Sequence, residues 1–192
     1  MSNAASGTFA EAQGDMRRAY LSGAPGMLTS AAVWFAAGVV ALLMSPERAI
    51  WTLFIGAAFI HPVSVLLVKL LGRSGQHRKG NPLASLVFAS TVWLIASCVI
   101  AYGASRYSML WFFPSMLFVI GGRYLVFATL FGMRIYWVCG LSLILAGYGL
   151  LRFGMPPVLS AFTGSAVEAL FGMAILALSS AWGRARFGAM AG

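Results

Sequence analysis

The chain has 192 residues, of which 60% are hydrophobic and 9% are charged, and its mean hydropathy is +0.88. Soluble domains carry about 25% charged residues, so this composition excludes an ordinary soluble domain and indicates a protein with several membrane spans. The net charge of +9 does not indicate nucleic-acid binding. The basic residues are scattered between apolar runs and form no basic face with base-stacking aromatics.

The first 26 residues are expected to form an N-terminal tail with a short helix at the membrane surface. Apolar and charged side chains there fall on opposite helical faces, with Phe9, Ala12, Met16 and Tyr20 on one side and Glu11, Asp15 and Arg18 on the other. The segment Ser22–Gly26 is rich in Gly and Pro and ends this helix. A disordered tail is the alternative interpretation.

Six apolar runs follow, and about 20 such residues are needed to cross the hydrocarbon layer of a bilayer. The expected spans are residues 27–44, 49–71, 82–103, 107–130, 135–151 and 157–182. The breaks between them are short, so no separate soluble domain fits. The sequence therefore predicts an all-α polytopic membrane protein, a six-helix bundle with short loops over residues 27–182. Residues 183–192 are expected to form a basic cytoplasmic tail.

The distribution of Lys and Arg predicts the orientation, because cytoplasmic segments carry the excess of positive charge. With the N-terminus inside, nine basic residues lie on the inner side and three on the outer side: Arg17, Arg18, Lys69, Arg73, Arg78, Lys79, Arg134, Arg184 and Arg186 against Arg48, Arg106 and Arg152. Both termini are thus expected in the cytoplasm. The inner basic segments are expected to meet anionic lipid headgroups.

The turn between the fourth and fifth spans can be placed in three ways. It falls at Gly121–Arg123, at Gly132–Arg134, or near Ala128 and Thr129. Either glycine-containing turn leaves the other arginine inside a span. A turn at residues 128–129 would let both arginines reach the inner headgroups.

The two cysteines, Cys98 and Cys139, lie in separate apolar runs near opposite membrane surfaces and are expected to stay unpaired. The sequence has no metal-ligand spacing, no haem-ligating pair of histidines and no Gly-rich phosphate loop. No cofactor is therefore expected.

Three ionisable residues lie deep within spans and are the main candidates for a functional site. Glu168 lies near the centre of the sixth span, His61 near the centre of the second, and Arg123 slightly inward of centre in the fourth. Charged groups at this depth are costly and are normally paired, protonated or turned toward a polar cavity. These three spans run in the same direction, so the three groups share a depth, and Tyr124 and Arg134 extend the cluster.

A purely structural role is the competing interpretation of this cluster. Glu168 and Arg123 would then form an ion pair that only joins two helices, and His61 would bond a carbonyl freed near Pro62. Under either interpretation Glu168 is expected to face protein, since Gly164 and Gly172 on its face let a neighbouring helix approach.

Three segments, residues 15–20, Gly23 to Trp34 and Gly121 to Trp137, resemble a family of small bacterial integral membrane proteins that is a domain of unknown function. The resemblance extends over most of the chain. It implies a bacterial membrane protein but no activity and no functional residues; the bacterial inner membrane is the location that we expect.

Transport is the leading hypothesis for function: a transporter or channel that carries a small solute, ion or proton past the mid-membrane polar site. A lipid- or hydrophobic-ligand-binding protein or accessory subunit is the alternative, with Arg123 meeting an anionic head. An intramembrane enzyme that uses His61, Glu168 and a tyrosine comes third, since neither a nucleophile nor a metal motif accompanies them. The oligomeric state stays open: six spans can form a monomer, and glycine faces such as Gly140, Gly147 and Gly164 leave room for a dimer.

Overall fold

A computed structural model describes the backbone of residues 8–190 and the side chains of residues 8–179. Within that range the chain is helical and has no β-strand. Two short 3-10 turns, Leu21–Gly23 and Met109–Trp111, connect helices. The α-helices are α1 Phe9–Tyr20, α2 Ala24–Leu43, α3 Pro46–Leu70, α4 Ala84–Tyr107, α5 Phe112–Phe131, α6 Ile135–Arg152 and α7 Pro157–Met190.

The prediction of an all-α protein with six spans is confirmed, because six helices are long and apolar enough to cross a membrane. Their boundaries lie within about five residues of the predicted ones, apart from the end of α7. Its backbone continues to Met190, so residues 183–190 prolong the last helix. The side chains expected to make that segment basic lie outside the described residues, as do residues 1–7 and 191–192.

The turn between the fourth and fifth spans is at Gly132–Arg134. Gly132 ends α5 with a φ of 62°, a left-handed conformation that glycine adopts without strain. The amide of Met133 then bonds the carbonyl of Ala128 at 3.2 Å, and Arg134 begins α6. Arg123 therefore lies within α5, well away from the turn.

Close backbone contact joins α5 to α6. A Cβ on Gly121 would lie 2.7 Å from the carbonyl oxygen of Gly140, and a Cβ on Gly140 would lie 2.7 Å from that of Gly121. Gly147 similarly faces the carbonyl of Pro114 at 3.0 Å. These small residues let the two backbones touch, as is usual between membrane helices.

Helix α2 packs along both α3 and α7. Gly164 of α7 lies under the Trp34 ring, where a Cβ would come within 2.7 Å, and Gly172 meets Leu28. The hydroxyl of Ser165 donates to the carbonyl of Ala31 at 2.9 Å. Gly140, Gly147 and Gly164 are thus all used in contacts within the chain, not in a surface left open for a second copy.

Helix α1 packs against the C-terminal end of α5, to which two of its side chains are hydrogen-bonded. Thr8 and Glu11 form a reciprocal capping box at its start. Farther along α1 the Gln13 side chain donates to the carbonyl of Thr129 at 2.6 Å, and Arg17 in the last turn donates to that of Phe131. Both carbonyls belong to the last turn of α5, where the helix dipole favours a cation.

The basic loop between α3 and α4 is tied to α1 as well. The Asp15 carboxylate accepts hydrogen bonds from the amide of Arg78 at 2.9 Å and from the Asn81 side chain at 2.8 Å, and the Tyr20 hydroxyl bonds His77 at 2.9 Å. Partial burial raises the pKa of Asp15, but these two hydrogen bonds and the positive charge of Arg18 outweigh it and hold the pKa below its ordinary value.

Candidate functional site

The side chain of Glu168 has no solvent-exposed surface. It is the twelfth of 23 residues in the apolar part of α7, Pro157–Ser179, and therefore lies at the middle of the span. The expectation that it faces protein is met locally, because Gly164 and Gly172 bring α2 against this face of α7.

One hydrogen bond holds the carboxyl group of Glu168. The phenol of Tyr124 on α5 donates to Oε1 at 2.7 Å, and both groups are buried. The Ser30 hydroxyl of α2 is a further polar neighbour. No described residue donates a hydrogen bond of normal geometry to Oε2. Helices α2, α5 and α7 thus surround the Glu168 carboxyl group, whose Oε2 accepts no such hydrogen bond from a described residue.

The position of Tyr124 follows from its aromatic neighbours. Its ring lies 5.8 Å from that of Phe127 and 5.9 Å from that of Tyr136, and the Tyr136 ring stacks on Phe131 at 5.5 Å. The Tyr136 hydroxyl donates to the carbonyl of Ser22 at 2.6 Å, at the bend between α1 and α2. Packing against the Phe127 and Tyr136 rings holds the Tyr124 ring in place, so its hydroxyl is preorganised toward Glu168.

Arg123 is next to Tyr124 in sequence but points to a different neighbour. Its guanidinium makes one long hydrogen bond, from Nη2 to the Thr91 hydroxyl on α4 at 3.4 Å, and lies 5.3 Å from the centre of the Phe127 ring. Its Nε is buried without a hydrogen-bond partner among the described residues. The positive charge acts on Glu168 through space, yet the two side chains form no salt bridge.

His61 and Arg134 lie apart from the Glu168–Tyr124 pair. The His61 side chain is exposed on α3, and the Ser64 hydroxyl bonds the His61 backbone carbonyl at 2.9 Å. Arg134 is exposed at the N-terminal end of α6. The structure therefore brings Tyr124 to Glu168 and keeps Arg123 nearby, while the other two candidates face outward.

Two polar neighbours of the site, Ser30 and Thr91, were not singled out by the sequence analysis. Both are small hydroxyl residues in apolar helices, where such residues commonly bond their own backbone, as Thr91 does with the carbonyl of Val87 at 2.9 Å. Only the helix packing reveals that Ser30 faces Glu168 and that Thr91 faces Arg123.

A carboxylic acid bonded to a phenol can bind and release a proton, and it does not by itself form a metal site. Among the described residues no group of three or more His, Cys, Asp or Glu side chains could hold a metal ion. Both cysteines are free thiols, with Cys139 buried and Cys98 partly exposed. The chemistry available at mid-depth is therefore protonation of Glu168 beside a fixed positive charge.

No curated protein matches this chain, and no solved structure matches it. A family model does match over most of the sequence, from residue 9 to residue 178. That range contains α1, all six membrane-length helices, Glu168, Tyr124 and Arg123. The chain belongs to the family of unknown function DUF7010.

Proposed function

We propose that this protein transports a small solute, ion or proton across the membrane, with Glu168 as the proton-binding group of the transport site. One observation carries the proposal: a carboxyl group at the middle of a membrane span has no exposed surface, and no described residue donates a hydrogen bond of normal geometry to its Oε2. Ionisable groups at this depth mark ion and proton pathways in membrane proteins.

The neutral and the ionised forms of Glu168 require different neighbouring groups. The Tyr124 hydroxyl donates to Oε1 in either state, so the proton of the neutral acid belongs on Oε2. Loss of that proton leaves a buried negative charge, which requires water, a cation or a rearranged arginine beside it. Protonation of Glu168 is therefore expected to be linked to the entry of water or solute.

Helix α3 provides an element that can move during transport. Pro62 lies inside it and removes one backbone donor, which leaves the carbonyl four residues earlier without its helical partner. Between Leu53 and Val68 none of its residues is fully buried. A helix that contains a proline and buries no side chain fully along its middle is suited to the rocking movements of transporters.

We place the protein in the inner membrane of a bacterium with both termini in the cytoplasm. Six spans put both ends of the bundle on one side, and the excess of Lys and Arg favours the cytoplasm for that side. The basic loop between α3 and α4 is on the same side, where anionic headgroups would meet it.

Aqueous access to position 168 tests the proposal. In a background with Cys98 and Cys139 replaced by serine, Glu168→Cys is labelled in cells with a membrane-impermeant maleimide applied from either side. The matched control is Met173→Cys on the same helix, whose side chain is 57% exposed toward lipid. We expect labelling at position 168 and none at position 173.

Absence of labelling at position 168 from both sides, in a protein that stays folded, would refute the proposal. A second measurement uses proteoliposomes with an imposed pH gradient and an internal pH dye. Wild type is expected to dissipate the gradient faster than Glu168→Gln. Glu47→Gln, at the exposed start of α3, should behave as wild type.

A further inference from the structure

Helices α3 and α4 are consecutive in sequence but do not pack along each other. They meet at their outer ends through aromatic rings, with Tyr102 of α4 lying 5.9 Å from Trp51 and 6.3 Å from Phe54. Phe54 also meets Phe112 of α5 at 5.3 Å. These four rings close the outer end of a crevice between α3 and α4 that opens sideways to the bilayer.

Exposed residues line both walls of this crevice. On α3, the face that carries Phe54 continues inward through Ala57, Ala58 and His61, all of which are exposed. On α4, the face that carries Tyr102 continues inward through Ile95, which is 63% exposed. Contact between the helices below the aromatic rings would have buried these side chains, so the crevice extends inward to their level.

Arg123 lies on α5 beside the α4 wall of the crevice, where it contacts Thr91. It follows Phe112 by eleven residues, about three helical turns, so it lies on the same face of α5, about 16 Å inward of the aromatic rings. Thr91 precedes Tyr102 by the same interval on α4, and its hydroxyl meets the Arg123 guanidinium at 3.4 Å. His61 lies seven residues beyond Phe54, about 10 Å inward.

We propose that this crevice binds a long-chain carboxylate, such as a fatty acid, with its head on Arg123 and its chain along the apolar walls toward the aromatic rings. Charge complementarity identifies the head. Among the described residues no carboxylate forms a salt bridge with Arg123, and the one hydrogen bond that its guanidinium donates to them is the long bond to Thr91. Guanidinium and carboxylate groups form strong paired hydrogen bonds.

The depth of Arg123 in the membrane favours a ligand with one acyl chain over a phospholipid. Eight residues separate it from the inner end of α5, which corresponds to about 12 Å. A phospholipid would have to draw its phosphate and glycerol that far into hydrocarbon, at high cost for each unsatisfied polar group. A protonated fatty acid is neutral and can diffuse sideways into the crevice, where Arg123 favours its ionised form.

Native mass spectrometry of the full chain, released from mild detergent containing oleate, tests this inference. We expect wild type to retain one oleate per chain. Arg123→Gln should bind about tenfold more weakly, which corresponds to about 1.4 kcal/mol, because it loses the charge-assisted hydrogen bonds of the guanidinium. Arg134→Gln, which removes an exposed arginine outside the crevice, should bind as wild type does. Oleyl alcohol should bind wild type and Arg123→Gln equally.

A second variant, Ile95→Trp, fills the crevice without altering any charge, and it should also lose oleate. If Arg123→Gln does not fold, oleate binding by Ile95→Trp tests the inference instead. Equal oleate binding by wild type and either folded variant would overturn the inference. The inference would also be overturned if an equal concentration of phosphatidylglycerol displaced the oleate. A dimer that binds no oleate would overturn it as well. The role of Glu168 does not enter this test, so the inference stands or falls separately from transport.

Discussion

Replacing Tyr124 by phenylalanine removes one oxygen atom and leaves the ring packing intact. The substitution removes the hydroxyl that donates to Oε1 of Glu168 at 2.7 Å. No described residue donates a hydrogen bond of normal geometry to Oε2. Breaking a buried hydrogen bond in this way costs about 1–3 kcal/mol in proteins generally. Coupling energies between membrane helices are smaller, with an average of about 0.6 and a maximum of about 1.7 kcal/mol.

The environment of Glu168 decides which of these two ranges of free energy applies to Tyr124→Phe. In the conformation of this structure the Glu168 side chain has no exposed surface, so the lost donor is not replaced from bulk water or lipid headgroups. We therefore expect Tyr124→Phe to lower the free energy of unfolding by about 1.5 kcal/mol, near the upper limit for membrane helices. Tyr148→Phe is the control, because Tyr148 is 59% exposed and makes no hydrogen bond among the described residues.

A double-mutant cycle with Glu168→Gln isolates the interaction. Unfolding is followed by tryptophan fluorescence in mixed micelles of increasing denaturing detergent. Wild type, the two single variants and the double variant give a coupling energy directly. A coupling below about 0.3 kcal/mol, which is within the error of additivity, would show that Tyr124 and Glu168 do not interact and would refute the geometry of the site.

Three further predictions concern packing and the inner surface. Gly121→Ala should lower the free energy of unfolding by about 1–3 kcal/mol, because its Cβ would meet a backbone carbonyl of α6 at 2.7 Å. Gly122→Ala is the control: its Cβ would have no atom within 4 Å, so it should leave the free energy of unfolding unchanged in the same detergent titration. Arg17→Gln should destabilise the protein by about 1 kcal/mol and increase amide exchange in α1, since a cation at the end of α5 is lost. The lowered pKa of Asp15 predicts stability that is present above its unfolded-state pKa and is lost as pH falls through the folded-state pKa. Melting temperatures of wild type measured between neutral and acidic pH should show this decline, and Asp15→Asn should reduce it.

The number and type of the helices could be predicted because they depend on local properties. Runs of about 20 apolar residues and the turn residues between them are visible in the sequence alone. The protein-facing orientation of Glu168 was also predictable, since Gly164 and Gly172 flank it at helical spacing. Even the turn at Gly132 was among the three alternatives, and what selects it is a left-handed cap that glycine adopts without strain.

The neighbours of Glu168 could not be predicted, because they depend on how helices rotate about their axes. Arg123 and Tyr124 are adjacent in sequence, and about 100° of rotation separates their directions on a helix. The sequence analysis favoured the arginine as the partner on grounds of charge, whereas the structure gives the hydrogen bond to the tyrosine. Shared depth likewise grouped His61 with this site, but depth says nothing about which way a side chain points.

The long seam between α2 and α7 has a consequence for biosynthesis. The first membrane helix has its main partner in the last one, more than 110 residues later in the chain. Until α7 has left the translocation machinery, the face of α2 that carries Ser30 and Trp34 lacks its main partner, although Trp34 can already pack on Phe113 of α5. Tyr124 also has no acceptor until then, because the carboxyl group arrives with the last helix. Ribosomes stalled before residue 157 should therefore yield inserted helices that a membrane chaperone still recognises as incomplete.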